Sequence, residues 1–241
     1  MELFLIGFLA ALLSSMSGAG AALLATPLLL TTGLSLPTIL ACNQLCAALW
    51  TPIASRNYRE GQPLDRALTI GVASAGLVGV GGGYELALHF PPRLLKPIIG
   101  ALILFVVLLV WCSSKGARKI TTVRKHRALS IAFGIPLGAY QAFFGGGNTL
   151  FSSLMFSRTQ GFEFKRALAH AYAVAFVWCS ASTLLFWFGG WIEWSIVLPA
   201  AVGSLLGAAI GSRYGRALSS DILRHIFLFT AAVMGGSLIF S

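Results

Sequence analysis

Two short stretches bring glycine and small polar residues into otherwise apolar sequence: Ser14-Ser15-Met16-Ser17-Gly18-Ala19-Gly20 and Gln141-Ala142-Phe143-Phe144-Gly145-Gly146-Gly147-Asn148-Thr149. Each pairs glycine with side chains that compete for backbone hydrogen bonds, a combination that favours a break in a helix. A resumed half-helix presents N–H groups that no intrahelical carbonyl reaches, and its N-terminus favours negative charge. The chemistry this spacing points to is the holding of a small anion. The candidate binding residues are Ser15, Ser17, Gly18 and Gly20 in the first stretch, and Gln141, Gly145, Gly146, Gly147, Asn148 and Thr149 in the second. The competing reading of these glycines is tight helix packing alone.

Three further polar residues stand alone in apolar surroundings. Asn43 and Gln44 are placed to contact substrate or to bond between helices. His170 is placed to contact substrate or shuttle a proton, or else to bond a backbone carbonyl near the membrane interface, since it follows closely on Lys165 and Arg166. Cys42, Cys46, Cys112 and Cys179 show neither zinc-site nor CxxC spacing, and Cys42 and Cys46 read as small packing residues. A Walker A lysine, an HExxH and a GxSxG serine are all absent from the sequence, which argues against an ATPase and a hydrolase. No enzyme, cofactor or metal is expected.

The elements that must position these residues are helices in lipid. The chain is 57% hydrophobic and only 10% charged, where a soluble domain carries about 25% charged residues. So few charges cannot cover a water-facing surface. The net charge of +10 sits in clusters at segment ends, which suits loops facing anionic lipid and leaves no soluble domain for nucleic acid. The N-terminus lacks a basic region ahead of its apolar run and reads as mature membrane sequence, not a signal peptide.

Apolar segments fall at 3–31, 36–54, 67–89, 94–112, 128–157, 164–188, 192–212 and 222–240. The first and fifth contain the two polar breaks. Sliding Gly18 onto Gly145, with a one-residue gap after it, also brings Leu40-Ala41 onto Leu168-Ala169, and Gly79 and Gly83 onto Gly207 and Gly211. The spacing therefore predicts a duplication: a first repeat over 1–113, a basic cytoplasmic linker over 114–127 and a second repeat over 128–241.

Lysine and arginine decide between topologies. If all eight segments cross, the basic residues divide almost evenly between the two faces. If 3–31 and 128–157 dip in and return, loops 55–66, 114–127, 158–166 and 213–224 share one face. All of the 17 lysines and arginines then lie there except Arg93 and Lys96. The positive-inside rule selects the second arrangement. The expected fold is all-α and polytopic, with two inverted repeats, each a broken re-entrant hairpin plus three transmembrane helices. A pair of short crossing helices in place of each hairpin gives the same parity and stays open. The expected location is the cell membrane, with both termini outside.

The residues also resemble the sulfite exporter TauE/SafE family, the TSUP transporters, along essentially the whole chain. Gly18-Ala19-Gly20-Ala21-Ala22…Pro27 resembles the family's G-x-G-G-G…P element, and Ala41-Cys42-Asn43-Gln44 its A-T-N-K-like stretch. Gly138-Ala139-Tyr140-Gln141-Ala142-Phe143-Phe144-Gly145-Gly146-Gly147 resembles G-F-Y-D-G-F-F-G-P-G, and Ala169-His170-Ala171 resembles A-H-x-K. This chain departs from those patterns at Gln141, where an aspartate is common, and at Gln44 and Tyr172, where lysines are common. The resemblance implies passage of a small sulfur-containing or organic anion, such as sulfite, thiosulfate or a sulfonate, without ATP. The partners expected are that anion, membrane lipid and, for a homo-oligomer, further copies of the chain. The alternative is a membrane scaffold or assembly component that transports nothing.

Overall fold

The computed structural model describes residues 1–91 apart from Ala19 and Glu60, residues 126–219, and isolated positions in the remainder. The segments expected at 94–112 and 222–240, and nearly all of the linker, lie outside the described residues.

Every element described is a helix: α1 (Glu2–Ser17), α2 (Ala22–Leu30), α3 (Leu36–Tyr58), α4 (Arg66–His89), α5 (Arg127–Phe143), α6 (Asn148–Gln160), α7 (Phe164–Phe188) and α8 (Trp194–Ala217). Four of them, α3, α4, α7 and α8, are long and apolar enough to cross a membrane. Their starts follow from local chemistry. The Ser35 hydroxyl accepts from the Thr38 amide ahead of α3, and an Asp65 carboxylate oxygen accepts from the Leu68 amide at 3.1 Å ahead of α4.

The two expected breaks are present but shorter than the polar stretches. Ser15 and Ser17 stay helical, their hydroxyls donating back to the Leu12 and Leu13 carbonyls at 3.1 and 2.8 Å. Gly18 ends α1 with φ 77°. Gln141 likewise remains inside α5, and the second break is confined to Phe144–Gly147. The four short helices have 16, 9, 17 and 13 residues. At 1.5 Å per residue none exceeds about 26 Å, short of the ~30 Å hydrocarbon core.

Helix pairing runs between the two parts of the chain. α1 lies along α8, α5 lies along α4, and α3 packs against both α7 and α8. Exchanging the parts turns the α1–α8 pair into the α5–α4 pair. Both pairs touch backbone to backbone. An added methyl at Gly203, Gly207 or Gly211 would strike the carbonyl of Phe4, Phe8 or Leu12 in turn, and at Gly79 or Gly83 that of Ile135 or Ala139. Gly207→Val should therefore lower the melting temperature of the purified protein by an amount equivalent to about 1–3 kcal/mol or more. Gly82→Val, at a helical glycine with open space around it, should cost far less; equal losses would refute the close-packing account.

At one end, polar contacts tie several basic loops together. An Arg127 guanidinium nitrogen lies 2.6 Å from an Asp65 carboxylate oxygen, and the His126 amide donates to the Thr159 carbonyl at 3.0 Å. Lys165 Nζ donates to the Arg216 carbonyl at 2.8 Å. The start of α5 and the end of α6 thus lie together.

Candidate functional site

Both breaks arrive at one place. At the first, the carbonyl end of α1 is closed by two tyrosines. Tyr172 Oη donates to the Ser14 carbonyl at 2.9 Å, and Tyr58 Oη reaches the Ser15 and Met16 carbonyls, each at 2.8 Å. The two rings stack with centroids 5.8 Å apart. The carbonyls that α1 leaves without intrahelical partners are thereby satisfied from α3 and α7. The opposite side of the break is left to α2, which begins just past Gly20.

At the second break, the amides of Phe144 and Gly145 both donate to the Tyr140 carbonyl at 3.0 Å, tightening the end of α5. Tyr140 Oη donates to the Gly146 carbonyl. Gly147, at φ 79°, then turns the chain into α6. The two breaks touch: a methyl on Gly20, itself at φ 84°, would lie 2.6 Å from the Gly147 nitrogen. Glycine is required there both by conformation and by contact.

Around this junction lies a cavity of about 20 Å³. Its walls include Gly20, Ala21 and Ala22 at the start of α2, and Gly145 and Thr149 at the start of α6. Two half-helix N-termini therefore converge on it, with amides that precede the first intrahelical bonds. Asn43, Gln44, Ala47, Trp50 and Thr51 complete one wall from α3, and Ala175 and Cys179 another from α7.

A buried amide network joins the walls. Gln44 Nε2 donates to the Gln141 carbonyl at 2.5 Å, and Gln141 Nε2 returns a bond to Gln44 Oε1 at 3.1 Å. Gln141 Nε2 also meets Cys179 Sγ at 3.2 Å, and its Oε1 accepts from Asn148 Nδ2 at 2.7 Å. Asn43 Nδ2 donates to Thr26 Oγ1 at 2.8 Å. Such a network is rigid when its members are satisfied and costly when one is lost.

Of the residues expected from sequence, Gly20, Asn43, Gln44, Gln141, Gly145 and Thr149 line the cavity. Asn148 joins it through Gln141, and Gly147 through its contact with Gly20. Gly146 lies in the same turn, its carbonyl taken by Tyr140. Ser15, Ser17 and Gly18 fall outside the lining, their polar groups spent on closing α1. His170 also lies outside it. Its Nε2 accepts from the Asp65 amide at 3.0 Å, and its Nδ1 lies 2.8 Å from the Arg166 carbonyl, the carbonyl-bonded arrangement. Accepting at Nε2 and donating at Nδ1 makes it a neutral ring that fastens α7 to the start of α4.

Sequence reasoning passed over Ala47, Trp50 and Thr51. Their signal was spacing: they follow Asn43 and Gln44 at three- and four-residue steps, on one face of α3.

This geometry coincides with the matching of a protein family over the same residues. The profile described as Sulfite exporter TauE/SafE matches residues 3–238. The chain belongs to the sulfite exporter TauE/SafE family. Among curated proteins, a "Probable membrane transporter protein" of Haemophilus influenzae is 27% identical over 242 residues, covering 99% of this chain and 93% of the relative. The "Probable membrane transporter protein YfcA" of Escherichia coli K12 is 27% identical over 245 residues, covering 99% and 88%. No solved structure matches. The TauE/SafE chain is accordingly a polytopic membrane transporter, and the cavity between its two breaks is the candidate site.

Proposed function

We propose that this TauE/SafE protein is a secondary carrier or facilitator for a small anion, sulfur-containing or organic, of the sulfite, thiosulfate or sulfonate kind. The observation that carries the reading is the meeting of Gly20 with Gly147, which places the starts of α2 and α6 on one polar cavity. Backbone amides and half-helix N-termini at a break are suited to an anion's charge without a lysine or arginine beside it. Substrate contacts are assigned to Gly20, Asn43, Gln44, Gln141, Gly145 and Thr149, with Gly146, Gly147 and Asn148 shaping the turn.

The exchange of partners between α1–α8 and α5–α4 supports two repeats of opposite orientation. The contacts of Asp65 with Arg127, His126 with Thr159 and Lys165 with Arg216 support a common, cytoplasmic face for the basic loops. Both termini then lie outside, in the cell membrane. A cavity of about 20 Å³ has room for roughly one water, so loading an anion of several atoms requires the walls to part.

The test is flux. Proteoliposomes holding the purified chain should take up sulfite, thiosulfate or methanesulfonate faster than empty vesicles. No flux of any anion across that panel would remove the carrier reading and leave the scaffold.

A further inference from the structure

Trp50 lies on the cavity wall with only 1% of its surface exposed, and its indole N–H meets no acceptor among the described residues. An indole nitrogen donates and never accepts, and a buried donor without a partner is destabilising. The fold can supply a carbonyl to such a ring. Trp178, which takes the matching place when Leu168 is aligned with Leu40, donates to the Ala73 carbonyl at 2.9 Å. At Trp50 the ring is instead braced edge-on by Tyr172, with centroids 5.5 Å apart, and Tyr172 is itself bonded to the Ser14 carbonyl. The indole is thus held in place with its one polar atom uncommitted.

We propose that the Trp50 indole N–H donates to an oxygen of the transported anion, making Trp50 a specificity-determining residue for oxyanion head groups of the sulfite, sulfonate or carboxylate type. The assignment rests on the carrier reading above. A buried donor that no described residue satisfies calls for an acceptor from elsewhere, which an anion's oxygen supplies.

The test uses the full chain, wild type and Trp50→Phe, with sulfite and methanesulfonate as probes. Phenylalanine keeps an aromatic edge for Tyr172 and removes the N–H. The apparent affinity, read from the anion-dependent thermal shift and from the flux KM, should weaken about ten-fold or more, the worth of one hydrogen bond to a charged group. Flux at saturating anion should change little. The melting temperature without anion should hold or rise, whereas a purely structural tryptophan would lower it. If Trp50→Phe does not fold, a benzothienyl analogue of tryptophan at position 50 keeps the ring shape and replaces N–H by sulfur. It should show the same loss of affinity. A wild type that responds to either anion while these variants match it overturns this assignment alone. A wild type that responds to neither, in shift or flux, overturns the carrier reading and this assignment together.

Discussion

Gly20→Ala is expected to bring anion flux to the level of empty vesicles. The added methyl meets the Gly147 nitrogen at 2.6 Å and the Gly145 carbonyl oxygen at 3.2 Å, and position 20 has φ 84°, where a side chain is strained. Backbone cannot move aside as a flexible side chain does, so the two breaks must separate. The left-handed conformation and the overlap together cost about 2–4 kcal/mol. Size-exclusion chromatography and thermal unfolding show whether the variant still folds; flux in proteoliposomes reads the function. A folded Gly20→Ala protein with wild-type flux would mean that the meeting of the breaks is not the transport site. Gly61→Ala is the control: it shares the positive φ, at 81°, but has open space around it.

The second large effect is expected at Gln141. Gln141→Leu removes the acceptor of Asn148 Nδ2 and the donor to Gln44 Oε1, leaving those two buried polar atoms without these partners. Each costs about 1–3 kcal/mol. Gln141→Glu separates electrostatics from packing. It has nearly the same shape and keeps an acceptor for Asn148, but it adds negative charge to the cavity wall. A like charge about 4 Å away opposes an anion by about 4 kcal/mol at an effective dielectric of 20. Anion affinity at pH 8 should therefore fall at least about 100-fold in Gln141→Glu. Equal affinities for wild type and Gln141→Glu would place the anion's route elsewhere. A double-mutant cycle over Gln44 and Gln141 isolates the pair's own coupling from these losses.

Much of the scaffold is readable from residue type because lipid imposes few options. The expected segments 36–54, 67–89, 164–188 and 192–212 correspond to α3, α4, α7 and α8. Glycine marks both breaks because left-handed backbone at Gly18, Gly20, Gly145 and Gly147 admits little else. The serines ahead of Gly18 misled for a definable reason. A serine hydroxyl bonds either away from a helix or back onto it, and in α1 it bonds back. For His170, the carbonyl bond to Arg166 one turn back was among the readings its sequence neighbours allowed, whereas its second partner, the Asp65 amide, comes from a distant loop. Trp50, Thr51 and Cys179 look like ordinary lipid-phase residues by type. What distinguishes them is the direction they face, which the packing of α3 against α7 decides.

The glycine face of α8 also bears on how the molecule comes into being. Gly203, Gly207 and Gly211 receive the carbonyl ridge of α1, so the first of the described helices is seated by the last of them. Until α8 is made, α1 lacks the helix it packs along. A chain ended before Trp194 keeps the Tyr58, Tyr172 and Gly147 contacts of the first break but lacks the glycine face that α1 packs on. The two helices run in parallel, Gly203 beside Phe4 and Gly211 beside Leu12, so α8 seats α1 turn by turn from its start.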